Sequence, residues 1–438
     1  MVPSGGNADI STRLIAESGH GSRDDVFAWG RCLLMTRAEP DDLLRQMLLT
    51  EYGESGPYEG YRLLRETAPV LVSASGVVVL SRYADCQAAL RNRRLGKADE
   101  SLGFRLTDVP EDLQRTTLHR FRRTMLFRNP PDHERLRRLV ADAFTHRHVE
   151  QLRPRIAERI DHLLDAAAER ERIDIISEIA LPLPVAVIGD LLGVPESDRA
   201  AAAPLVRCLL APLEPASDTA AIRRAADAET QLVEYFSTLL AEKRTDPQDD
   251  LLSRLAIARG ADALDEDEMV GSAILLFAAG FETTTNLIGN GLAALLAHPD
   301  QLAALRDEPA LASNAVEELL RYDAPVQTNG RTALADTAIG DVSVPDGTVV
   351  LMLLGSANRD PDRYDDPDIL DLRRRNPAPL SFGSGIHFCL GAALARTEAM
   401  ELFPRLLARF PGLAADGEPV WRPGLSFRGL ASLPVSLT

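Results

Sequence analysis

A single cysteine stands among glycines, just before a helical pattern, in the stretch SFGSGIHFCLGAALAR, Ser381 to Arg396. Gly383, Gly385 and Gly391 allow the backbone to turn tightly or to approach a ligand closely, because they carry no Cβ atom. A thiol at a helix N-terminus has a lowered pKa, since unpaired N–H groups and the helix dipole stabilise the thiolate. We therefore expect Cys389 to have a lowered pKa.

Three interpretations of Cys389 follow from its neighbours. An inert, buried thiol is the ordinary case for an isolated cysteine. A catalytic thiol would use a histidine base, but such a histidine is normally distant in sequence, so the nearness of His387 proves nothing. A single thiolate on haem iron would favour cleavage of an O–O bond. Only the third interpretation uses the glycines, the thiolate and the histidine together.

The arrangement F-x-x-G-x-H-x-C-x-G, formed by Phe382, Gly385, His387, Cys389 and Gly391, resembles the haem-binding loop of the cytochrome P-450 superfamily in its soluble bacterial class. The resemblance implies heme b as cofactor, with Cys389 as the iron ligand and Phe382 beside the haem. It also implies a mainly α fold with small β-sheets, in which one large domain holds the haem between a long central helix and the cysteine loop.

Further charged residues resemble family landmarks in the expected order. EELLR supplies Glu318 and Arg321, which resemble a structural E-x-x-R ion pair on the proximal side of the haem. The resemblance also implies that the haem propionates are held by His133, Arg137, Arg331 and His387. His133 and Arg137 are four residues apart and therefore share one helical face. Taken singly, each of these residues is equally consistent with an ordinary surface charge.

The apolar helical segment from Met269 onward contains the polar run AAGFETTT, Ala278 to Thr285. Gly280 and back-bonding threonine hydroxyls predict a local opening of the helix. The resemblance implies that Thr283 places a hydroxyl beside bound oxygen and that Glu282 relays protons from solvent. The alternative is a chance polar cluster that faces another helix.

The resemblance implies a haem-thiolate monooxygenase that activates O₂ and hydroxylates or epoxidises a mainly apolar small molecule, such as a secondary-metabolite intermediate. A peroxide-driven peroxygenase is the alternative enzyme, which Glu282 and Thr283 disfavour because peroxide arrives already reduced. A non-catalytic haem-containing binding protein is the alternative outside enzymes. The substrate walls implied by the resemblance are residues 91–125, about 195–225, the helix near Ala278, the PVQTNG loop and the turn near Leu430.

Electrons for this reaction must come from another protein, because no G-x-G-x-x-G lies between a strand and a helix and little chain follows the haem loop. The resemblance implies a ferredoxin and its NAD(P)H-dependent ferredoxin reductase. The segment from Arg115 to Leu139 is strongly basic. We expect part of it to steer an acidic partner, either a ferredoxin or a carrier protein that bears the substrate.

The composition restricts the class of protein. With 48 basic and 65 acidic residues the net charge is −17, which argues against nucleic-acid binding, since phosphate contacts need a basic surface. The four cysteines are Cys32, Cys86, Cys208 and Cys389, and they form no C-x-x-C pair. Neither a signal peptide nor a membrane span is predicted, because Met269 to Phe281 is too short to cross a bilayer. We expect a cytoplasmic protein.

The predicted organisation has a mobile tail at residues 1–25, a helical extension at 26–55 and a cytochrome P-450 domain at 56–438. Two β-branched runs in VLVSASGVVVLSR predict a hairpin. Acidic residues at its start and Pro299 at its end predict a central helix from Asp265 to His298. Pro404 predicts a kink or an early break in the helix after Cys389.

Overall fold

The computed structural model of the protein describes residues 39–49, 56–97, 117–214, 217–258 and 263–438. Its helices are α1 Pro40–Leu49, α2 Tyr58–Thr67, α3 Tyr83–Arg91, α4 Asp132–Ala141, α5 His146–Ala167, α6 Pro182–Leu192, α7 Glu196–Leu210, α8 Thr219–Thr245, α9 Leu251–Ile257, α10 Glu266–Ala297, α11 Pro299–Asp307, α12 Ala312–Tyr322, α13 Leu354–Ala357 and α14 Ala392–Arg409. Its strands are β1 Val70–Val72, β2 Val78–Leu80, β3 Leu95–Gly96, β4 Arg172–Asp174, β5 Thr328–Ala333, β6 Thr337–Ile339, β7 Val342–Val344, β8 Val349–Leu353, β9 Ala414–Ala415, β10 Val420–Trp421, β11 Leu430–Ser432 and β12 Pro434–Ser436. The predicted mainly α fold with small sheets is confirmed.

The N-terminal predictions lie mostly outside the described residues. The predicted tail at 1–25 is wholly outside them. Of the extension at 26–55, only residues 39–49 are described, and they contain helix α1. The boundary at residue 56 therefore stays a prediction.

The largest sheet brings distant strands together in the order β1-β2-β8-β5-β3. Strands β1 and β2 form the predicted antiparallel hairpin, with Val70 opposite Leu80. Strand β5 pairs with β8 on one side, where Arg331 is opposite Val350, and with β3 on the other, where Thr332 is opposite Gly96. The sheet thus positions the chain from Asn329 to Arg331 beside the residue that follows β3.

The central helix α10 matches the prediction at both ends. The Asp265 side chain accepts a hydrogen bond from the backbone N–H of Glu268, while the Glu268 carboxylate accepts one from the N–H of Asp265. This reciprocal capping satisfies N–H groups that have no partner inside the helix. The 32 residues of α10 span about 48 Å. Buried side chains occur around its whole circumference, so it is the core of the main hydrophobic cluster.

A kink or an early break was expected at Pro404; helix α14 continues through the proline, so the early break is wrong. Phe403 and Leu406 on either side of the proline are buried in the main core. Arg153 and Arg405 both donate hydrogen bonds to Glu401, joining α5 to α14. Tertiary packing of this kind outweighs the local cost of one lost backbone hydrogen bond.

Among the described residues, no single helix is long and apolar enough to cross a membrane. One strongly bent pair, Ile176–Leu192 with Glu196–Leu213, meets the criteria of length and composition when its two parts are joined.

Candidate functional site

A cavity lies between α10 and the loop that carries Cys389. Leu276, Ala279 and Thr283 line it from the helix, while His387 and Cys389 line it from the loop. The cavity encloses about 270 Å³. Pockets on this scale, with mainly apolar walls and a few polar groups, are typical of small-molecule and cofactor sites.

Backbone turns place the Cys389 thiol at the cavity wall. The N–H of Gly383 donates to the carbonyl of Leu380 at 2.7 Å, and the N–H of Cys389 donates to the carbonyl of Phe382 at 3.0 Å. Gly383 has φ +70° and Gly385 has φ +74°, values that residues with a Cβ atom rarely adopt. A Cβ at Gly385 would also lie 2.4 Å from the carbonyl oxygen of Leu90.

The expected lowered pKa of Cys389 is wrong. Burial raises the pKa of the thiol, against the opposing effects of the Gly391 N–H, Arg137 and Arg396. The physical reason lies in the position of the helix. Helix α14 begins at Ala392 with Gly391 as its N-cap. The Cys389 thiol therefore precedes the helix and is part of the cavity wall.

His133 and His387 meet at one end of the cavity. Their ring centroids are 4.3 Å apart, and the rings are tilted by 60°. Both ring nitrogens of His133 and Nε2 of His387 are buried without a hydrogen-bond partner among the described residues. Burial, and then the nearby cations beginning with Arg331, lowers the pKa of His387 to about 2. These rings therefore present unsatisfied polar atoms to a common space.

Arg137 and Arg331 bring two guanidinium groups to the same region. Nη2 of Arg137 donates to the carbonyl of Phe388 at 2.8 Å, which ties α4 to the cysteine loop. Nη1 of Arg331 donates to Oδ1 of Asn329 at 2.5 Å, and Asn329 lines the cavity. Burial lowers the pKa of Arg331 to about 10. The four residues expected to hold the propionates therefore lie close together in the structure. They are His133, Arg137, Arg331 and His387.

Phe382 lies at the cavity wall beneath a cation. The guanidinium carbon of Arg396 is 4.4 Å from the centroid of the Phe382 ring, within the range of a cation–π contact. Arg396 also pairs with Glu317 on α12. The contact thus links the start of α14, the cysteine loop and α12.

Glu318 and Arg321 form a fully buried ion pair on α12. Nε of Arg321 donates to Oε2 of Glu318 at 2.7 Å, and both side chains have 0% exposure. Glu318 also accepts from Nε of Arg374 at 3.1 Å and from the backbone N–H of Asp371 at 3.0 Å. Arg321 additionally donates to the carbonyls of Asn358, Pro367 and Ile369. The pair therefore anchors the segment that leads into the cysteine loop.

Glu282 and Thr283 are neighbours in sequence, but their side chains differ in environment. Thr283 lines the cavity, and its hydroxyl donates a long hydrogen bond of 3.4 Å to the carbonyl of Ala279. Glu282 is buried and is not among the residues that line the cavity. Its carboxylate accepts from Nε of Arg207 at 3.3 Å and from Nη1 of Arg422.

The expected opening of α10 near Gly280 is absent, because the helix is continuous from Glu266 to Ala297. A Cβ atom at Gly280 would lie 2.3 Å from Cγ1 of Ile188. The glycine therefore permits close packing of α6 against α10, which is a structural reason for its presence.

Sequence reasoning missed four residues around this site: Lys97, Arg207, Glu398 and Arg422. Arg207 and Arg422 hold Glu282, and no local pattern links them to it because they are 75 and 140 residues away. Glu398 lines the cavity with both carboxylate oxygens buried and unpartnered among the described residues. An acid on the apolar face of the helical pattern after Cys389 was the one available signal.

In the folded protein, acidic residues offset part of the positive charge of the basic segment from Arg115 to Leu139. Its first two residues lie outside the described residues. Arg120 and Arg123 contact Asp267, and Arg135 pairs with Glu268 at 2.5 Å. Part of the segment is therefore neutralised by the acidic start of α10.

The implied substrate walls are only partly reproduced. Met125, Val326 and Asn329 line the cavity, as does α10 at Ala279. Residues 98–116 lie outside the described part of the chain. No described residue from 195–225 lines the cavity, and Leu430 does not line it either.

Comparison with known proteins gives a consistent result. A family model described as Cytochrome P450 matches residues 204–423. Cytochrome P450 107B1 of Saccharopolyspora erythraea is 44% identical over 370 residues, which cover 82% of this chain and 88% of that protein. Cytochrome P450 monooxygenase PikC of Streptomyces venezuelae is 41% identical over 86% of this chain and 90% of its own length. A crystal structure of P450BioI in complex with an acyl carrier protein bearing hexadec-9Z-enoic acid superimposes with a TM-score of 0.81 at 37% identity, covering 87% of this chain and 98% of that one.

Proposed function

This chain belongs to the cytochrome P450 family, and on that premise we propose that it hydroxylates or epoxidises a mainly apolar secondary-metabolite intermediate with electrons from a separate ferredoxin. One observation carries the proposal. The Cys389 thiol and the Thr283 hydroxyl lie on two different walls of the same largely apolar cavity. Residues 56–438 form the catalytic domain, and the enzyme acts in the cytoplasm.

The residues present fit haem b, the cofactor of this family. The buried, unpartnered ring nitrogens of His133 and His387 need hydrogen-bond partners, and haem carries two carboxylates. Arg137 and Arg331 lie beside those rings, and neither forms an ion pair with a carboxylate among the described residues. We assign His133, Arg137, Arg331 and His387 to the propionates, Cys389 to the iron and Phe382 to the adjoining cavity wall.

When bound, the haem supplies oxygen activation and the oxidising equivalent that attacks a C–H or C=C bond. The side chains of this chain bind the substrate and deliver protons. Leu276 and Ala279 provide apolar contact surface and limit the access of water. Thr283 orients a hydroxyl into the cavity, and Glu282 moves protons from the side of Arg207 and Arg422 towards it.

The substrate class is supported by the cavity and by the names of relatives. The walls are more apolar than polar, and the Asn329 amide is one of their polar groups. One relative is named Vitamin D(3) 25-hydroxylase, from Pseudonocardia autotrophica, and is 42% identical over 87% of this chain. Another is named 6-deoxyerythronolide B hydroxylase, from Saccharopolyspora erythraea, at 38% identity. Both names describe hydroxylation, and the apolar side chains of Leu276 and Ala279 on α10 suit contact with a mainly apolar molecule.

The redox partner is a ferredoxin that receives electrons from an NAD(P)H-dependent reductase. Because Arg120, Arg123 and Arg135 are paired with acidic residues of α10, the attraction of an acidic partner is weaker than the sequence suggests. We therefore expect the rate of reduction to fall only modestly as salt is raised. A carrier protein that bears the substrate is the second candidate partner, supported by the P450BioI complex.

The test begins with the carbon monoxide complex of the reduced protein. The wild-type protein should show the Soret shift of a thiolate-ligated haem, and Cys389→Ser should lose it. Turnover with a surrogate ferredoxin, its reductase and ¹⁸O₂ should then transfer one labelled oxygen atom to the product.

Two outcomes would favour the alternatives. Label acquired from H₂¹⁸O₂ but not from ¹⁸O₂ would indicate a peroxygenase. A normal spectrum with no oxidation of any compound in a natural-product panel, despite spin-state shifts on binding, would leave a haem-containing binding protein.

A further inference from the structure

Lys97 lies directly beside the proposed propionate site. In the antiparallel register of β3 and β5, Gly96 is opposite Thr332, so the next residue along, Lys97, faces Arg331. Asn129 fixes the Lys97 backbone by accepting from its N–H at 2.8 Å and donating to its carbonyl at 2.6 Å. The backbone position of Lys97 is therefore set by the sheet and by Asn129.

Two cations converge on one neutral oxygen. Nζ of Lys97 donates to the carbonyl of Gly330 at 2.9 Å, and Nη1 of Arg331 donates to the same oxygen at 3.0 Å. These two bonds hold the nitrogens within about 6 Å of each other. Like charges opposite each other across two strands destabilise a sheet, and burial increases that repulsion.

No carboxylate of the described residues forms an ion pair with either cation. The surroundings add positive charge, because Lys97, Arg331 and Arg137 all act to lower the pKa of His387. Burial and Arg331 likewise lower the pKa of Lys97. Within the described part of the chain, cationic groups thus surround a space in which no carboxylate pairs with Lys97 or Arg331.

We propose that Lys97 is a further binding residue for the haem propionates, supplying an ammonium group next to Arg331. This inference rests on the haem binding of the proposed function and adds to the four propionate residues implied by the sequence. A partly buried cluster of this kind is stabilised when a carboxylate enters it, since each cation then gains a charge-assisted hydrogen bond.

A purely structural role is the competing explanation. Lys97 satisfies the carbonyl of Gly330, and its Nζ lies 5.9 Å from the centroid of the Phe127 ring. Lys97→Gln retains a donor for that carbonyl but removes the charge, whereas Lys97→Arg retains the charge. The two variants therefore separate the role of the charge from that of the hydrogen bond.

The first experiment measures haem dissociation from the ferric holoenzyme to excess apomyoglobin. One charge-assisted contact accounts for roughly tenfold in rate, so Lys97→Gln should lose haem about ten times faster and Lys97→Arg at close to the wild-type rate. Arg155→Gln is the control of equal charge loss, because Arg155 is exposed on α5 and does not line the cavity. Lys97→Gln should also lower the reduction potential, since loss of a cation favours the ferric state.

The second experiment uses the fact that the chain contains two lysines, Lys97 and Lys243. Acetylation of the substrate-free holoenzyme, followed by mass spectrometry, should modify Lys97 slowly, and transfer of the haem to apomyoglobin should make it react faster. Lys243 pairs with Asp250 on another part of the fold, so its unchanged rate would show that the chain has not unfolded.

Equal haem-loss rates and potentials for Lys97→Gln and the wild type would overturn the proposal. So would equal loss from Lys97→Arg and Lys97→Gln, which indicates a structural role. Protection of Lys97 only when a carboxylate substrate is added would assign the anion to the substrate instead. The wild-type carbon monoxide spectrum and turnover are measured independently, so failure of the proposed function is distinguishable from failure of this inference.

Discussion

Glu282 on the central helix accepts a hydrogen bond from Arg422, a residue 140 positions further along the chain. Arg422 also donates to Oδ1 of Asn286, one helical turn beyond Glu282. Nε of Arg207 reaches the other carboxylate oxygen of Glu282 at 3.3 Å. The acid that we assign to proton delivery is therefore held in place from two separate parts of the fold.

Replacing Glu282 by Gln should slow turnover by about a hundredfold or more, the usual contribution of a positioned acid or base. The amide keeps the shape of the side chain but cannot carry a proton. Product formation and its solvent deuterium isotope effect should be measured with the surrogate ferredoxin system. Arg422→Gln should cause a smaller loss, because it affects the position of the carboxylate and not its chemistry. Wild-type turnover by Glu282→Gln would remove it from the proton path.

Breaking the Glu318–Arg321 pair should lower the free energy of unfolding by about 3 to 5 kcal/mol, because Glu318→Ala leaves a buried guanidinium without its carboxylate. The matched control is Arg409→Ala, which breaks an exposed pair with Asp165 and should cost about 0 to 1 kcal/mol. Urea unfolding of both holoenzymes, followed by circular dichroism, gives the comparison. Similar losses in the two variants would contradict the structural role of the pair.

Features with a local cause were predictable from the sequence. Asp265 and Glu268 cap α10 as acidic residues at a helix start should. The loop around Cys389 was located by its own spacing. In contrast, Arg422 reaches Glu282 only after the chain has folded, and Lys97 meets Arg331 only through the register of β3 and β5.

The wrong predictions share one physical cause, which is tertiary packing that overrides a local tendency. Pro404 does not end α14, since its neighbours are buried in the core. Gly280 does not open α10, because Ile188 packs against it. Cys389 does not have a lowered pKa, because burial at the cavity wall outweighs the nearby helix end.

Gly385 should not tolerate a side chain. Gly385→Ala would combine a positive φ of +74° with a Cβ placed 2.4 Å from the carbonyl oxygen of Leu90. We expect reduced haem content and a cost of about 1 to 3 kcal/mol in stability. Gly347→Ala is the control, because Gly347 also has a positive φ, of +79°, but no described residue lies within 4 Å of its added Cβ and it does not line the cavity. Both are checked by the ratio of Soret to protein absorbance and by thermal unfolding, and a normal haem content in Gly385→Ala would refute the strain argument.

Glu398 should make the protein less stable as pH rises. Burial raises its pKa well above the ordinary value, so between the two values the folded state retains a proton that the unfolded state has released. This difference in bound protons lowers the free energy of unfolding by up to about 1.4 kcal/mol per pH unit. The decrease begins near the ordinary pKa of about 4.3 and ends at the raised pKa of the folded state. Glu398→Gln removes this contribution, so its stability relative to the wild type should increase from pH 5 to pH 8. Urea midpoints of the two proteins across that range are the measurement, and parallel pH profiles would show that Glu398 is ionised in the folded protein.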